Sequence, residues 1–148
     1  MTLELNPAFQ RPVINLANFY EIDAMIDTGA VYPVWMTGEE RIKRIGAVKI
    51  RDSVPFGGLG GMTKGALYEI PAFQLGNLIY PNMGILVTRS EFPVPVLLPA
   101  TMFNDLIYEI NNKTHRLNIT VPDGESHIRN LTIKDENGHL HVFCSSAG

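Results

Sequence analysis

Proline and glycine interrupt this sequence at short intervals, and that spacing limits how the chain can fold more than any other feature. The 148 residues include ten prolines and thirteen glycines. Long helices do not tolerate such frequent breaks, whereas short strands joined by turns do. The pattern therefore favours an all-β fold. The chain length suits one domain with its own core.

The segments between these breaks are rich in residues that favour strands. We expect strands over residues 11–16, 19–26, 47–55, 65–75, 78–88, 94–98 and 116–121. Asn137-Gly138 lies between two further β-prone runs, 131–134 and 139–143, which is a strong hairpin signal. The division that follows is a loose N-terminal arm over 1–10, a domain over 11–121 and a C-terminal β-hairpin extension of that domain over 122–148.

Two short helices interrupt the predicted strands. Thr37 and Glu40 have the spacing of a capping box, and Gly46 supplies a C-terminal stop, so we expect a helix over residues 37–46. A second helix is expected over residues 100–110, behind Pro99. Its apolar side chains fall on one helical face: Met102, Phe103, Leu106, Ile107 and Ile110.

Composition narrows the choice of partner and compartment. The formal net charge of −3 gives no electrostatic reason to expect nucleic acid. No apolar run approaches the roughly 20 residues that cross a bilayer, so we expect no membrane partner. Residues 1–10 lack the features of a secretory signal, which favours the cytoplasm. The single cysteine, Cys144, cannot form an internal disulfide.

The residues Asp27-Thr28-Gly29-Ala30 carry the strongest chemical signal. They follow the apolar run 24–26, which places the Asp27 carboxylate at the end of a predicted strand. Two carboxylates a hydrogen bond apart share one proton, so that one can act as a base and the other as an acid on a water molecule. The chain contains this tetrapeptide once, so such a pair requires two copies of the protein. The alternative is a surface turn, because aspartate, threonine and glycine all favour turns.

A glycine cluster, Gly57-Gly58-Leu59-Gly60-Gly61, follows about thirty residues later between two predicted strands. The tip of such a hairpin can offer bare backbone groups to an extended peptide. A phosphate-binding loop would need Gly-Lys followed by serine or threonine and then a helix. Lys64 instead precedes Gly65 and β-prone sequence, which makes a nucleotide site a poor interpretation. A plain flexible loop stays open as an alternative.

Other catalytic and metal sites have less support. His139 and His141 alternate on a predicted strand close to Cys144, a pattern that could in principle hold zinc. A fourth ligand is not evident, so we predict neither a metal nor a cofactor. The Gly-x-Ser-x-Gly pattern of serine hydrolases does not occur in the sequence.

Taken together, these segments resemble the retropepsin-like aspartic proteases. The order of the segments carries the resemblance: the strand ending in Ile26 and Asp27, the 37–46 helix, the glycine cluster, and Leu97-Leu98 before the 100–110 segment. Residues 110–117 also look like the strand-turn-strand that closes such domains. The resemblance covers residues 11 to 120 approximately.

The resemblance implies a closed, mostly antiparallel β-barrel with one lobe per chain, and a homodimeric endopeptidase that acts on peptide or protein substrates. Asp27 would be the catalytic carboxylate, and Thr28 would lock the two active-site loops together across the dimer axis. Gly29 would help to position substrate, next to Ala30. The glycines and leucine at positions 58–61 would form the substrate-binding flap, that is Gly58, Leu59, Gly60 and Gly61.

Two departures from the family pattern leave an alternative function open. Pro99 stands where the family usually has glycine, and the segment after Val121 lies beyond the usual end of the family. Proline lacks an N–H group and fixes its backbone angle, so we expect the packing behind Asp27 to differ from that in the family. A catalytically inactive domain that binds peptides or partners is therefore a second hypothesis. An unrelated β-rich protein with a chance turn at Asp27 is a third.

Overall fold

The chain is mostly β-structure in a computed structural model that describes residues 1–17, 19–58 and 61–147. One α-helix, α1, and one short 3-10 helix accompany twelve strands in these ranges. The helical segments are α1 (Glu39–Arg44) and the 3-10 helix (Ala100–Phe103). The strands are β1 (Thr2–Glu4), β2 (Val13–Leu16), β3 (Ile22–Asp27), β4 (Val34–Trp35), β5 (Val48–Gly58), β6 (Gly61–Leu75), β7 (Leu78–Val87), β8 (Val96–Pro99), β9 (Ile107–Asn111), β10 (Arg116–Thr120), β11 (Arg129–Glu136) and β12 (His139–Ser146).

Seven strands form the main sheet, in the order β2-β3-β8-β4-β7-β6-β5. Its pairs are antiparallel except for β3 with β8 and β4 with β7, which are parallel. The predicted β class is confirmed. The closed barrel is not found within the described ranges, because β2 and β5 end the strand order and do not pair with each other. The other five strands form two separate sheets, one of three strands (β1-β10-β9) and one of two (β11-β12).

Large aromatic side chains fill the centre of the core. Trp35 is 1% exposed, and its indole Nε1 donates a hydrogen bond to the Gly38 carbonyl at 3.0 Å. Phe19 packs edge-on against both Trp35 and Phe73, with ring centroids 6.1 and 5.3 Å apart. Burying rings of this size is a main source of stability, and the indole N–H keeps a partner when buried.

The helix near Thr37 is present but is not capped as predicted. It spans Glu39–Arg44, and Gly38 precedes it with φ at 88° and no side-chain hydrogen bond to the helix start. The capping box is therefore wrong, because glycine takes a backbone conformation at this position that L-residues rarely adopt. Gly46, with φ at 84°, follows the helix end as expected.

The second predicted helix, over residues 100–110, is wrong beyond its first turn. Only Ala100–Phe103 are helical, and they form a 3-10 helix. Asn104 has non-helical backbone angles, φ −53° and ψ 134°, and Asp105 has φ at 66°, so the helix ends here. From Ile107 the chain enters β9, which pairs with β10 and places Ile110 opposite Leu117. Strand pairing with distant residues thus overrides the helical spacing of the apolar side chains.

A three-stranded sheet, in the order β1-β10-β9, joins the chain's beginning to this region. Residues Thr2–Glu4 pair antiparallel with β10, so this part of the expected loose arm is a strand. Strands β9 and β10 match the strand-turn-strand that the sequence indicates near residues 110–117.

The hairpin predicted from Asn137-Gly138 is present as the C-terminal hairpin, which comprises β11 and β12. Both turn residues have positive φ, 54° and 81°, as a type I′ turn requires. The hairpin packs on β7, where a Cβ atom added at Gly84 would lie 3.1 Å from Ile133 Cγ1. The absence of a side chain at Gly84 therefore allows this close approach.

Candidate active site

Asp27 lies at the carboxyl end of β3, where the chain leaves the main sheet. Its neighbour Ile26 is buried, and Asp27 itself is half-buried opposite Pro99 of β8. The loop folds back on the aspartate: the Gly29 N–H donates to Asp27 Oδ1 at 3.0 Å, and the Ala30 N–H donates to the Asp27 carbonyl at 3.0 Å. The tetrapeptide is thus a tight turn that orients one carboxylate oxygen.

The segment behind this turn supports it through a second contact. Thr101, in the 3-10 helix, donates a hydrogen bond from Oγ1 to the Val31 carbonyl at 3.2 Å. Pro99 is buried and extended, with φ at −82° and ψ at 157°. These angles are natural for proline, so it occupies the end of β8 without backbone strain.

One cavity, of about 540 Å³, brings the Asp27 turn and the glycine-rich hairpin together. The glycine-rich hairpin is formed by β5 and β6, and Gly57, Gly61 and Met62 supply its side of the cavity. The opposite side consists of the 27–34 segment, with Leu97 of β8. The Tyr32 ring packs edge-on against Phe56 of β5, with centroids 6.1 Å apart. The two strongest sequence signals therefore share one concave surface.

The site residues predicted from sequence are placed as follows. Thr28 and Gly29 are exposed on the turn and Ala30 is half-buried. Gly58 pairs with Gly61 near the end of the glycine-rich hairpin. Leu59 and Gly60, which the prediction places at its tip, lie outside the described residues.

A second recess, of about 290 Å³, also borders Asp27. Phe9, Arg11, Met25, Phe92 and Val94 contribute to it. Sequence reasoning missed this recess, because most of its walls come from residues 9–11 and 92–94, which carry no motif. Asp27 therefore lies between two partly apolar recesses.

The base of the glycine-rich hairpin contacts α1 through a polar cluster. Lys49 Nζ lies 2.7 Å from Glu39 Oε1 and 2.5 Å from Asp52 Oδ1, and the Tyr68 hydroxyl donates to Glu39 Oε1 at 2.6 Å. The hydrogen bond from Lys49 lowers the pKa of Glu39. Burial, together with the hydrogen bond that the Tyr68 hydroxyl donates to Glu39, raises the pKa of Tyr68 to about 12. Glu39 is therefore charged and Tyr68 neutral across the neutral pH range.

The residues considered for a metal are not brought together. His139 and His141 are exposed on β12, whereas Cys144 is buried and contacts the Met102 carbonyl at 3.6 Å. Burial raises the pKa of the Cys144 thiol. The strand alternates its side chains between two faces, so the cysteine faces away from both histidines. Within the described ranges, histidine, cysteine, aspartate and glutamate form no group of three suited to a metal ion.

One solved structure relates this fold to a known protein. A retropepsin-like aspartic protease from Rickettsia conorii is similar to this chain with a TM-score of 0.54, over 99% of this chain and 92% of that one. The identity is 15%, so the similarity supports the retropepsin-like fold alone. No family model and no curated protein matches the sequence. None of the described helices is long and apolar enough to span a membrane.

Proposed function

We propose that the chain is an aspartic endopeptidase whose active site forms between two copies. The observation that carries the proposal is the Asp27 carboxylate, which borders the cavity that it shares with the glycine-rich hairpin. The similarity to a retropepsin-like fold is consistent with this function. A lone chain supplies one such carboxylate, which is half of what water activation needs.

The proposed reaction uses two Asp27 side chains and one water molecule. One carboxylate accepts a proton from the water while its protonated partner donates a hydrogen bond to the scissile carbonyl. The resulting tetrahedral intermediate collapses as a proton passes to the leaving amine. The hydrogen bond from the Gly29 N–H holds one Asp27 oxygen in place, so the carboxylate is already oriented. The reaction requires no cofactor.

The substrate would be a peptide segment in extended conformation. Strands β5 and β6 offer backbone groups next to the cavity, which suits pairing with an added strand. Val31 and Met62 line the cavity and are 54% and 75% exposed, which suits contact with apolar substrate side chains. The second recess, with two phenylalanines, would accept an apolar side chain on the other side of Asp27.

The edge of β9 that has no neighbouring strand within the described ranges is our proposed contact between copies. Strand β9 ends its three-stranded sheet, and Ile107 at its start is 62% exposed. The same segment begins at the 3-10 helix, which contacts the Asp27 loop through Thr101. Pairing two β9 edges would bury Ile107 and would relate the two Asp27 turns by a two-fold axis. We further propose that the exposed Thr28 meets its counterpart across this axis.

Ile107→Asp is expected to weaken self-association by roughly tenfold or more, because it places a charge in an apolar contact. Sedimentation at several protein concentrations measures this change. Val48→Asp is the matched control, because Val48 is 58% exposed on β5, outside β9. Equal association constants for the parent and the Ile107 variant would contradict the β9 contact.

The test of the function is cleavage of unfolded protein by the purified chain, from mildly acidic to neutral pH. Fragments identified by mass spectrometry are expected to arise from internal cuts next to apolar residues. Their rate of formation should rise faster than linearly with chain concentration where the dimer is scarce. Absence of internal cuts from samples shown to be dimeric would contradict the proposal.

A second candidate function is peptide binding without cleavage. Pro99 favours it, because this residue lies opposite Asp27 and offers no N–H group at that end of β8. Saturable binding of an extended peptide by a dimer that cuts none of a diverse peptide library would select this candidate.

A further inference from the structure

We propose that the C-terminal hairpin is a positioning element for the candidate active site, acting on the glycine-rich hairpin through the Arg51–Asp135 ion pair. The inference deepens the proposed function and rests on it, because it assigns a role to β5 and β6 next to substrate. Arg51 belongs to β5 and Asp135 to β11, so the pair joins two elements that are far apart in sequence.

The geometry of this pair is that of a partly desolvated contact. Arg51 Nη1 lies 2.5 Å from Asp135 Oδ2, and the Asp135 side chain is only 8% exposed. A carboxylate removed from water in this way depends on its cation far more than an exposed carboxylate does. The Arg51 side chain is 57% exposed, so the carboxylate is the desolvated member of the pair.

Arg51 lies where β5 changes direction. Register shifts flank it on both sides, between Lys49 and Arg51 and between Arg51 and Val54, and Ser53 has φ at 52°. Bulges of this kind re-aim the strand that follows them. Beyond this irregular stretch, from Val54 to Gly58, the strand extends about 13 Å at the usual rise per residue. A small rotation of β5 at Arg51 therefore produces a larger displacement of its far end, where Gly57 lines the Asp27 cavity.

The C-terminal hairpin is firmly attached elsewhere, which a positioning element requires. Ile133 packs on Gly84 of β7, and the fully buried Arg129 donates from Nε to the Met102 carbonyl at 3.3 Å. Met102 belongs to the 3-10 helix whose Thr101 bonds to Val31. The C-terminal hairpin thus contacts elements on both sides of the cavity. It contacts β5 through the Arg51–Asp135 pair, and it contacts the 3-10 helix that bonds to Val31. The polar cluster of Lys49, Glu39 and Asp52 holds this stretch of β5 from the α1 side, next to Arg51.

The test uses the full chain with Arg51→Gln, Asp135→Asn and the double variant. Hydrogen–deuterium exchange is measured for residues 54–58 and 61–65, relative to residues 22–27 of β3 as an internal reference for global unfolding. Each single variant is expected to speed this relative exchange roughly three- to tenfold, and the double variant no more than either. Arg116→Gln is the control, because Arg116 is 55% exposed and pairs with Glu4 at 3.5 Å, on another sheet. The Arg116 variant should leave the relative exchange of both segments unchanged.

The kinetic readout is KM for a cleaved peptide, which is expected to rise by a similar factor in both single variants, with a smaller change in kcat. Parent-like relative exchange in both single variants would overturn the inference. Additive effects in the double variant would also overturn it, because they would show that the two residues act separately. Failure of the parent chain to cleave anything would sink the proposed function, whereas the exchange experiment would still decide whether the hairpin is held through this pair.

Discussion

Asp27→Asn is expected to lower kcat/KM for peptide cleavage by at least about a thousandfold, since an amide can neither accept the water's proton nor share one with its partner. The amide keeps the size of the carboxyl group, and its oxygen can still accept the hydrogen bond that the Gly29 N–H donates. The turn should therefore remain folded. Initial rates of peptide cleavage, with melting temperature measured alongside, check this expectation.

Asp23→Asn is the matched control for this experiment. Asp23 lies on the same strand, β3, and its carboxylate accepts a hydrogen bond from Asn15 at 3.2 Å. It does not line the Asp27 cavity. We expect this variant to retain activity within about twofold, because surface substitutions of this kind change little. Equal activity of the two variants would show that Asp27 has no special part in cleavage.

Arg129→Ala is expected to lower the free energy of unfolding by about 3 kcal/mol or more. The guanidinium is fully buried and bonds to the carbonyls of Met102 and Asn104 and, at 3.3 Å, to the Ser146 hydroxyl. Alanine would leave a cavity and remove the donor from the Asn104 carbonyl. The Met102 carbonyl keeps the Tyr80 hydroxyl as a donor at 2.8 Å, which limits the loss.

Denaturant unfolding measures this loss, with Arg116→Ala on β10 as the surface control, expected to change stability by less than about 0.5 kcal/mol. A loss confined to a first, separate transition would indicate that residues 122–148 unfold on their own. A single cooperative transition would agree with our proposal that they extend the same domain as residues 11–121. A stability change for Arg129→Ala no larger than the control's would contradict the packing argument.

Much of the strand pattern follows from local sequence, because turn residues and β-prone runs act over a few neighbours. Asn137-Gly138 specifies its own turn, and β7 is bounded by a glycine-containing turn before Leu78. The structure of the 100–110 segment could not be predicted from its local sequence. Its apolar spacing fits a helix, whereas β9 exists because β10 pairs with it. Strand β4 is only two residues long and depends on neighbours at both edges.

The candidate site was only partly predictable for the same reason. Asp27 and the glycine cluster each carry a signal in their residue types, so both could be named from sequence. Phe9 and Phe92 carry none, and they flank Asp27 only after distant segments assemble. The Arg51–Asp135 pair spans more than eighty residues of sequence. Isolated charged residues give no indication of such a partner.

The most direct test of a site shared by two copies is the activity of mixtures of the parent chain with Asp27→Asn after subunit exchange. At equal amounts and constant total concentration, the account predicts about one quarter of the parent activity, because only dimers of two parent chains carry both carboxylates. A value of about one half, proportional to the parent's share at every mixing ratio, would mean that each chain works alone and would contradict the account.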